Sequence, residues 1–319
     1  MWREIKKIIN QHDSFLISTH INPDGDGVGS ACALGELLFQ MGKRVLFVCQ
    51  GEVPSKFSFL NYHNFYQSYR SDADYDDYQV LFVLDTNRLD RIGSLSDIVH
   101  SRDDLITVCI DHHEHEDLFA DYSAITPGAC SVGAMIYTLY KECGYDLNLE
   151  SATGIYTAIL CDTGRFSYSS TNRKAYKISD ECVRAGVDPD LIYFRIFQHI
   201  SLDQVAVFRE ALNSMVCYFD NKLFIQHIRS SVAGDNINDL DYIHDFNKRV
   251  EGFYCTAIIK DSGDEVRISV RTKLDFPLDI IMEKIGGGGH PKAAGAIFKG
   301  SAQEAEKFLL EELEQYINY

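Results

Sequence analysis

The segment Leu105-Ile-Thr-Val-Cys-Ile-Asp-His-His113 limits the folds open to this chain more than any other. Its first six residues are apolar or β-branched apart from one thiol. That is the pattern of a strand covered on both faces, as in a parallel sheet held between helices. The strand delivers Asp111, His112 and His113 at its C-terminal end. A carboxylate and two imidazoles at the mouth of a buried strand must pair with one another or bind a cation, because stripping water from an unpaired carboxylate is costly.

Other strand ends repeat the theme. Phe15–Thr19 reads as a short buried strand ending in His20-Ile-Asn-Pro-Asp-Gly-Asp26, where Asp24 and Asp26 straddle a glycine in a strand-to-helix turn. Read singly, each Asp is a helix cap and His20 a satisfied strand-end residue. Three potential ligands within seven residues, with glycines that let the backbone approach a ligand, favour a shared site instead. Val80–Leu84 is another apolar strand, and it ends in Asp85. Open α/β sheets gather their functional groups beyond the strand C-termini, so these ends mark one mouth. A helix over Glu150–Leu160 then leads into Cys161-Asp162-Thr-Gly. Asp162 stands at a helix end, where the macrodipole disfavours negative charge, and a nearby cation explains it better than capping does.

Helical periodicity is expected over Trp2–Gln11, from the Asp24–Asp26 turn to about Met41, around Ser55–Tyr62, over Ser131–Cys143, and through most of Asn172–Asn213. Arg44–Cys49 reads as a strand. The second half has a different pattern. Val216–Phe219 with Lys222–Ile228, and Phe253–Lys260 with Val266–Thr272, read as antiparallel hairpins. At 319 residues the chain exceeds one core of roughly 150 residues. The expected architecture is α/β. An N-terminal parallel-sheet domain with flanking helices occupies 1–187, a helical linker 188–213, and a smaller C-terminal α/β domain with a mixed or antiparallel sheet 214–319.

A helix near Leu278–Ile285 runs into Gly286-Gly287-Gly288-Gly289-His290-Pro-Lys292. Four glycines are costly in conformational entropy. Their expected return is exposed backbone N–H groups that cradle an oxyanion, with His290 and Lys292 beside them. On the preceding strand Arg267, Ser269 and Arg271 share one side by period-two geometry and supply local positive charge.

That local charge matters because the net charge is −17, from 47 acidic and 30 basic residues. Long DNA is excluded as a partner, since tracking along phosphates needs a basic face. A small phosphorylated ligand remains compatible if metals and a few cations neutralise it. Nine cysteines without a Cys-x-x-Cys pair suit a reducing compartment. No stretch approaches the ~18 apolar residues of a membrane span. A cytoplasmic protein with no membrane partner is expected.

In their order along the chain, His20-x-x-x-Asp24-x-Asp26, the Asp85 of Leu-Asp-Thr-Asn, Asp111-His112-His113 and the Asp162 of Cys-Asp-Thr-Gly resemble the motifs of the DHH phosphoesterase superfamily. The glycine run and His290 resemble its associated C-terminal domain. Within that superfamily the chain is most similar to the bifunctional oligoribonuclease and pAp phosphatase group, the nanoRNase type. The resemblance implies one divalent ion on His20, Asp24 and Asp85, and a second on Asp26, Asp85, His112 and Asp162, with Asp85 bridging. Asp111 would orient an imidazole and His113 would face the substrate phosphate. Such an oxygen-rich set with isolated imidazoles favours Mn²⁺, then Mg²⁺.

Ser269, Arg271, Gly286, Gly287, Gly288, Gly289 and His290 would hold the far phosphate and nucleoside, the second domain closing over the metal mouth. Thr272 stands where relatives carry Ser. The implied catalytic group is Asp85, Asp111, His112 and His113. The implied reaction is hydrolysis of short RNA oligonucleotides to mononucleotides and of 3′-phosphoadenosine 5′-phosphate (pAp) to AMP and phosphate. The alternatives are cyclic di-AMP or linear pApA cleavage and a non-catalytic nucleotide sensor. A homodimer is plausible for the group. A manganese pyrophosphatase would need a Ser-Arg-Lys-Lys type motif that the C-terminal half lacks.

Overall fold

The computed structural model describes every residue except 115–118, 199, 234–239, 262–264, 275 and 318–319. It divides into two units, Met1–His199 and Ile200–Tyr319. The first is built on six strands, β1 (Ser14–Thr19), β2 (Arg44–Cys49), β3 (Tyr66–Ser68), β4 (Val80–Leu84), β5 (Ile106–Asp111) and β6 (Tyr122–Ile125). All neighbours are parallel, in the order β3-β2-β1-β4-β5-β6. Period-two alternation sends side chains to two cores. Phe15, Ile17, Val80, Phe82 and Leu84 enter one cluster, and Leu16, Leu81 and Val83 the other.

Among the described residues this unit has seven α-helices: α1 (Trp2–Gln11), α2 (Gly25–Gln40), α3 (Ser96–Ser101), α4 (Val132–Cys143), α5 (Leu149–Asp162), α6 (Arg173–Arg184) and α7 (Pro189–Phe197). Their starts follow local capping chemistry. Ser131 Oγ accepts from Ala134 N, Asn148 and Ser151 form a reciprocal capping box, and Asp188 caps α7 ahead of Pro189. Helices α2 and α5 cross at Gly29 and Gly154. A Cβ on Gly154 would lie 2.6 Å from the Gly29 carbonyl oxygen, so only glycine permits this approach. The short edge strands β3 and β6 had no sequence signal, because three or four residues carry too little alternation. Ser55–Leu60 is a 3₁₀ helix.

The second unit contains α8 (Leu202–Asn213), β7 (Val216–Tyr218), β8 (Leu223–Ile228), α9 (Ser230–Ala233), α10 (Asp241–Asn247), β9 (Cys255–Asp261), β10 (Val266–Thr272), α11 (Leu278–Glu283), β11 (Gly288–His290), β12 (Ala293–Phe298) and α12 (Ala302–Ile317). Its sheet runs β11-β12-β10-β9-β8-β7. It is mixed, because β8 and β9 are parallel while the other neighbours are antiparallel. Both expected hairpins form. The first turns through Phe219, Asp220 and Asn221, all with positive φ, and the 262–264 turn of the second lies outside the described residues. One sheet face packs on α11 and α12. The other meets Val207 and Ala211 of α8 and Ile243 of α10.

The glycine run is partly a strand. Its last two glycines pair with β12 in an edge strand, with Gly288 opposite Gly295 and Gly289 opposite Ala294. Among the described residues, no helix is long and apolar enough to cross a membrane.

Candidate metal centre

The strand order reverses between β1 and β4, and in open α/β sheets the crevice beyond such a reversal is where ligands bind. His20 follows β1 and Asp85 follows β4, on either side of it. Asp111 ends β5 with His112 and His113 after it. Asp24 caps α2, accepting from the amides of Asp26 and Gly27, and Asp162 is the last residue of α5.

Asp85 is the hub. Its Oδ1 lies 3.5 Å from His112 Nε2 and its Oδ2 3.6 Å from His20 Nε2, so each oxygen faces a different imidazole. His20 Nε2 is also 3.9 Å from Asp24 Oδ1, and His112 Nε2 is 3.7 Å from Asp26 Oδ2 and 3.8 Å from Asp162 Oδ2. Asp85 has φ of 61° although it is not glycine, and its amide donates to the Ile110 carbonyl at 3.1 Å. A left-handed non-glycine residue stores strain, which the surrounding sheet must hold.

Both imidazoles are aimed from behind. His20 Nδ1 bonds the Ile21 carbonyl at 2.9 Å and His112 Nδ1 the Ala129 carbonyl at 3.0 Å, so each ring turns Nε2 to the carboxylates. Asp26 is buried. It accepts from the Val132 and Gly133 amides at the start of α4, at 2.7 and 3.0 Å, and from Ser30 Oγ at 2.9 Å. Asp111 Oδ1 accepts from the amides of His112 and His113 and from His113 Nδ1 at 2.8 Å. The ring that Asp111 orients is therefore His113, while His112 is held by backbone.

Crowding sets the charges. Burial pulls His20 and His112 down, but the carboxylates around them outweigh it, raising His20 to about 10 and His112 to about 11. Burial and the neighbouring carboxylates raise Asp162 to about 6 and hold Asp26 well above the ordinary carboxylate range. Against burial, His113 and two amides keep Asp111 low. The Asp111 hydrogen bond raises His113.

The donors fit divalent cations. Asp85 Oδ1 and His112 Nε2 are buried with no hydrogen-bond partner among the described residues. Their separation of 3.5 Å is long for a hydrogen bond, yet suits two donors each about 2.0–2.2 Å from one ion. Three overlapping groups have ligand atoms within 4.8 Å of one another: His20, Asp24 and Asp85; Asp26, His112 and Asp162; and Asp85, Asp111, His112 and His113.

Residues 14–163 match the DHH family, N-terminal domain, and residues 231–319 match the DHHA1 domain. The chain is a DHH-family protein. It is 26% identical to the bifunctional oligoribonuclease and PAP phosphatase NrnA of Bacillus subtilis, over 97% of this chain and 96% of that protein. The NrnA of Thermus thermophilus is also 26% identical, over 89% of this chain and 84% of that protein. The crystal structure of an exopolyphosphatase-related protein from Bacteroides fragilis superposes with a TM-score of 0.92 at 25% identity, covering 99% of this chain and 96% of that one.

The DHH cluster also uses residues that sequence reasoning passed over. Asn87 Nδ2 donates to the Glu114 carbonyl at 3.1 Å, clamping the chain just past His113. Ser30 and the α4 amides anchor Asp26. The Ser131-Val-Gly helix start could have signalled them, since free helical N–H groups suit a carboxylate.

In the DHHA1 unit, Arg271 Nη1 donates to Ser269 Oγ at 3.3 Å, and both side chains stand on one face of β10. The expected amide cradle needs correction. The Gly286 and Gly287 amides bond the Glu283 and Met282 carbonyls at the end of α11, so they are already engaged. Gly287 and Gly289 are required by packing. A Cβ on them would lie 2.3 Å from the Gly295 oxygen and 2.4 Å from the Ala293 oxygen. Gly288 alone among the strand glycines Gly288 and Gly289 borders open space. The side chain of His290 lies outside the described residues.

Proposed function

We propose that this DHH protein is a divalent-metal-dependent phosphoesterase that hydrolyses short RNA oligonucleotides and pAp, with manganese the preferred ion. The observation that carries this reading is Asp85, whose two oxygens face the imidazoles of two separate ligand groups. The NrnA proteins, similar to this chain over nearly its whole length, support the substrate class.

His20, Asp24 and Asp85 would hold one ion, and Asp26, Asp85, His112 and Asp162 a second. Divalent ions held there supply Lewis-acid charge and an activated water for attack at phosphorus. The chain's own groups do the rest. Ile21 and Ala129 carbonyls fix the ring tautomers, and the α4 amides hold Asp26 against its acidic neighbours. His113, half-exposed and oriented by Asp111, donates a hydrogen bond to a phosphate oxygen. Arg271, with Ser269 beside it, takes the far phosphate. Across the sheet Ser269, Gly295 and Gly288 form one row and Arg271 and Ala293 the next, and residues in a row share a face. The open side of Gly288 thus lies on the Arg271 face, a strip bare enough for a nucleotide.

Incubating the protein with Mn²⁺ and either labelled dinucleotides or pAp tests the reading. Mononucleotides, or AMP and phosphate, are expected. No product from both substrates overturns it. A non-catalytic sensor would tolerate loss of a ligand, whereas all six positions carry a metal-competent side chain.

A further inference from the structure

Beside the β10 face that carries Ser269 and Arg271, α10 meets the sheet through polar side chains. Gln226, Asn247 and Thr256 are fully buried and satisfy one another. Asn247 Nδ2 donates to Gln226 Oε1 at 2.7 Å and to Thr256 Oγ1 at 2.9 Å. His244, one turn earlier on α10, is different. It is 1% exposed, its Nε2 lies 3.0 Å from Ser269 Oγ, and its Nδ1 has no partner among the described residues.

Burying an imidazole with one nitrogen unsatisfied costs stability that a phenylalanine of similar shape would not. The bond made by the other nitrogen offers a reason to keep it. Ser269 Oγ receives Arg271 Nη1 at 3.3 Å, and the same Nη1 donates to the Val270 carbonyl at 3.0 Å. When the Ser269 hydroxyl donates a hydrogen bond to His244 Nε2, its lone pairs turn toward the guanidinium. Burial, then the charges of Arg271 and Lys248, hold His244 well below its ordinary range, so the ring stays neutral and can accept.

We propose that His244 is a positioning residue that fixes the Arg271 guanidinium through Ser269, and so sets recognition of the substrate's terminal phosphate without touching substrate. This rests on the phosphoesterase reading, in which Arg271 takes that phosphate. A guanidinium held by such a chain meets phosphate in a fixed fork, whereas an untethered one must be ordered at each encounter.

The test compares pApA, which has a terminal phosphate, with ApA, which lacks it, under Mn²⁺. Ser269→Ala and His244→Phe should each raise KM for pApA about tenfold with kcat held within about twofold. KM for ApA should not move. The double variant should be no worse than the worse single, since both break one link, and Ser269→Thr should behave as wild type. An unchanged KM for pApA in Ser269→Ala, or an equal rise for both substrates, overturns the proposal. If His244→Phe does not fold, Ser269→Ala and Ser269→Thr decide alone. If wild-type protein turns over neither substrate, the phosphoesterase reading fails separately. Positioning is then decided by calorimetric binding of AMP against adenosine, without added metal, to wild type and Ser269→Ala. Weakened AMP binding in the variant supports it and unchanged binding overturns it.

Discussion

Burial pushes imidazoles down in both units, yet their net shifts are opposite. His20 and His112 stand among carboxylates that outweigh desolvation and lift them to about 10 and about 11. His244 has Arg271 and Lys248 for neighbours, which add to desolvation and hold it well below 6.5. Depth alone does not decide the charge of a buried ring; the sign of what surrounds it does. The first unit thus builds a place where positive charge is wanted, and the second a neutral prop beside a positive charge.

The largest effect should come from removing the hub of the first arrangement. Asp85→Asn keeps a side chain that tolerates the left-handed backbone at φ 61° but deletes the charge shared between His20 and His112. Phosphate release from pAp should fall by about 10³-fold or more, the equivalent of several kcal/mol of lost charge stabilisation. The fold should persist, as far-ultraviolet circular dichroism would show. Turnover near the wild-type rate would mean that Asp85 is not the shared ligand.

A titration sharpens the same contrast. In the metal-free protein His20 and His112 are protonated at neutral pH, and a cation must displace those protons before Nε2 can bind it. Between pH 6 and 8, Mn²⁺ affinity should rise about tenfold per pH unit for each proton released. Calorimetry in buffers of different ionisation enthalpy reads that proton count directly. The sign for stability is the reverse. Both folded values lie above the ordinary 6.5, so the imidazolium contribution to metal-free stability is complete below about pH 6.5 and is lost as pH climbs toward 10–11. An affinity independent of pH would show that the rings are not ligands.

Much of the first unit was legible because its strands are long, buried on both faces and end in chemistry. β2 and β4 fall on their expected limits, and the acids and imidazoles after β1, β4 and β5 converge as the strand ends suggested. The way Asp26 is held was not legible, since the Val132 and Gly133 amides are 106 and 107 residues away and belong to no sequence pattern around it. In the second unit the glycines were visible but their cause was not. Packing against Gly295 and Ala293 is set by a strand pairing that a run of glycines does not announce. His244 left no signal either, because α10 is seven residues long and its buried face is partly polar.

The acidic cluster also depends on helices that cross closely enough to bring Asp26 and Asp162 together. Gly154→Ala places a methyl 2.6 Å from the Gly29 oxygen and 3.2 Å from Ala33 Cβ. It should cost about 1–3 kcal/mol, as overpacking typically does. A urea melt should show a lower midpoint with an unchanged slope. Mn²⁺ affinity should fall as well, because any separation of α2 from α5 moves Asp26 away from Asp162. A lower midpoint with unchanged affinity would show that the cluster survives the shift.

The smallest effect on stability belongs to the second unit, where two adjacent glycines separate packing from function. Gly289 has φ of 145° and a Cβ there would meet the Ala293 oxygen at 2.4 Å, so Gly289→Ala should destabilise by more than about 1 kcal/mol. Gly288 has nothing within 4 Å of the added carbon, and Gly288→Ala should change stability by no more than about 0.5 kcal/mol. Its methyl nevertheless projects from the row that holds Ser269, onto the face proposed to take the nucleotide. Gly288→Ala should therefore raise KM for pAp while leaving the melting midpoint in place. An unchanged KM would put the nucleotide elsewhere, and the glycine run would then be wholly accounted for by the pairing of β11 with β12.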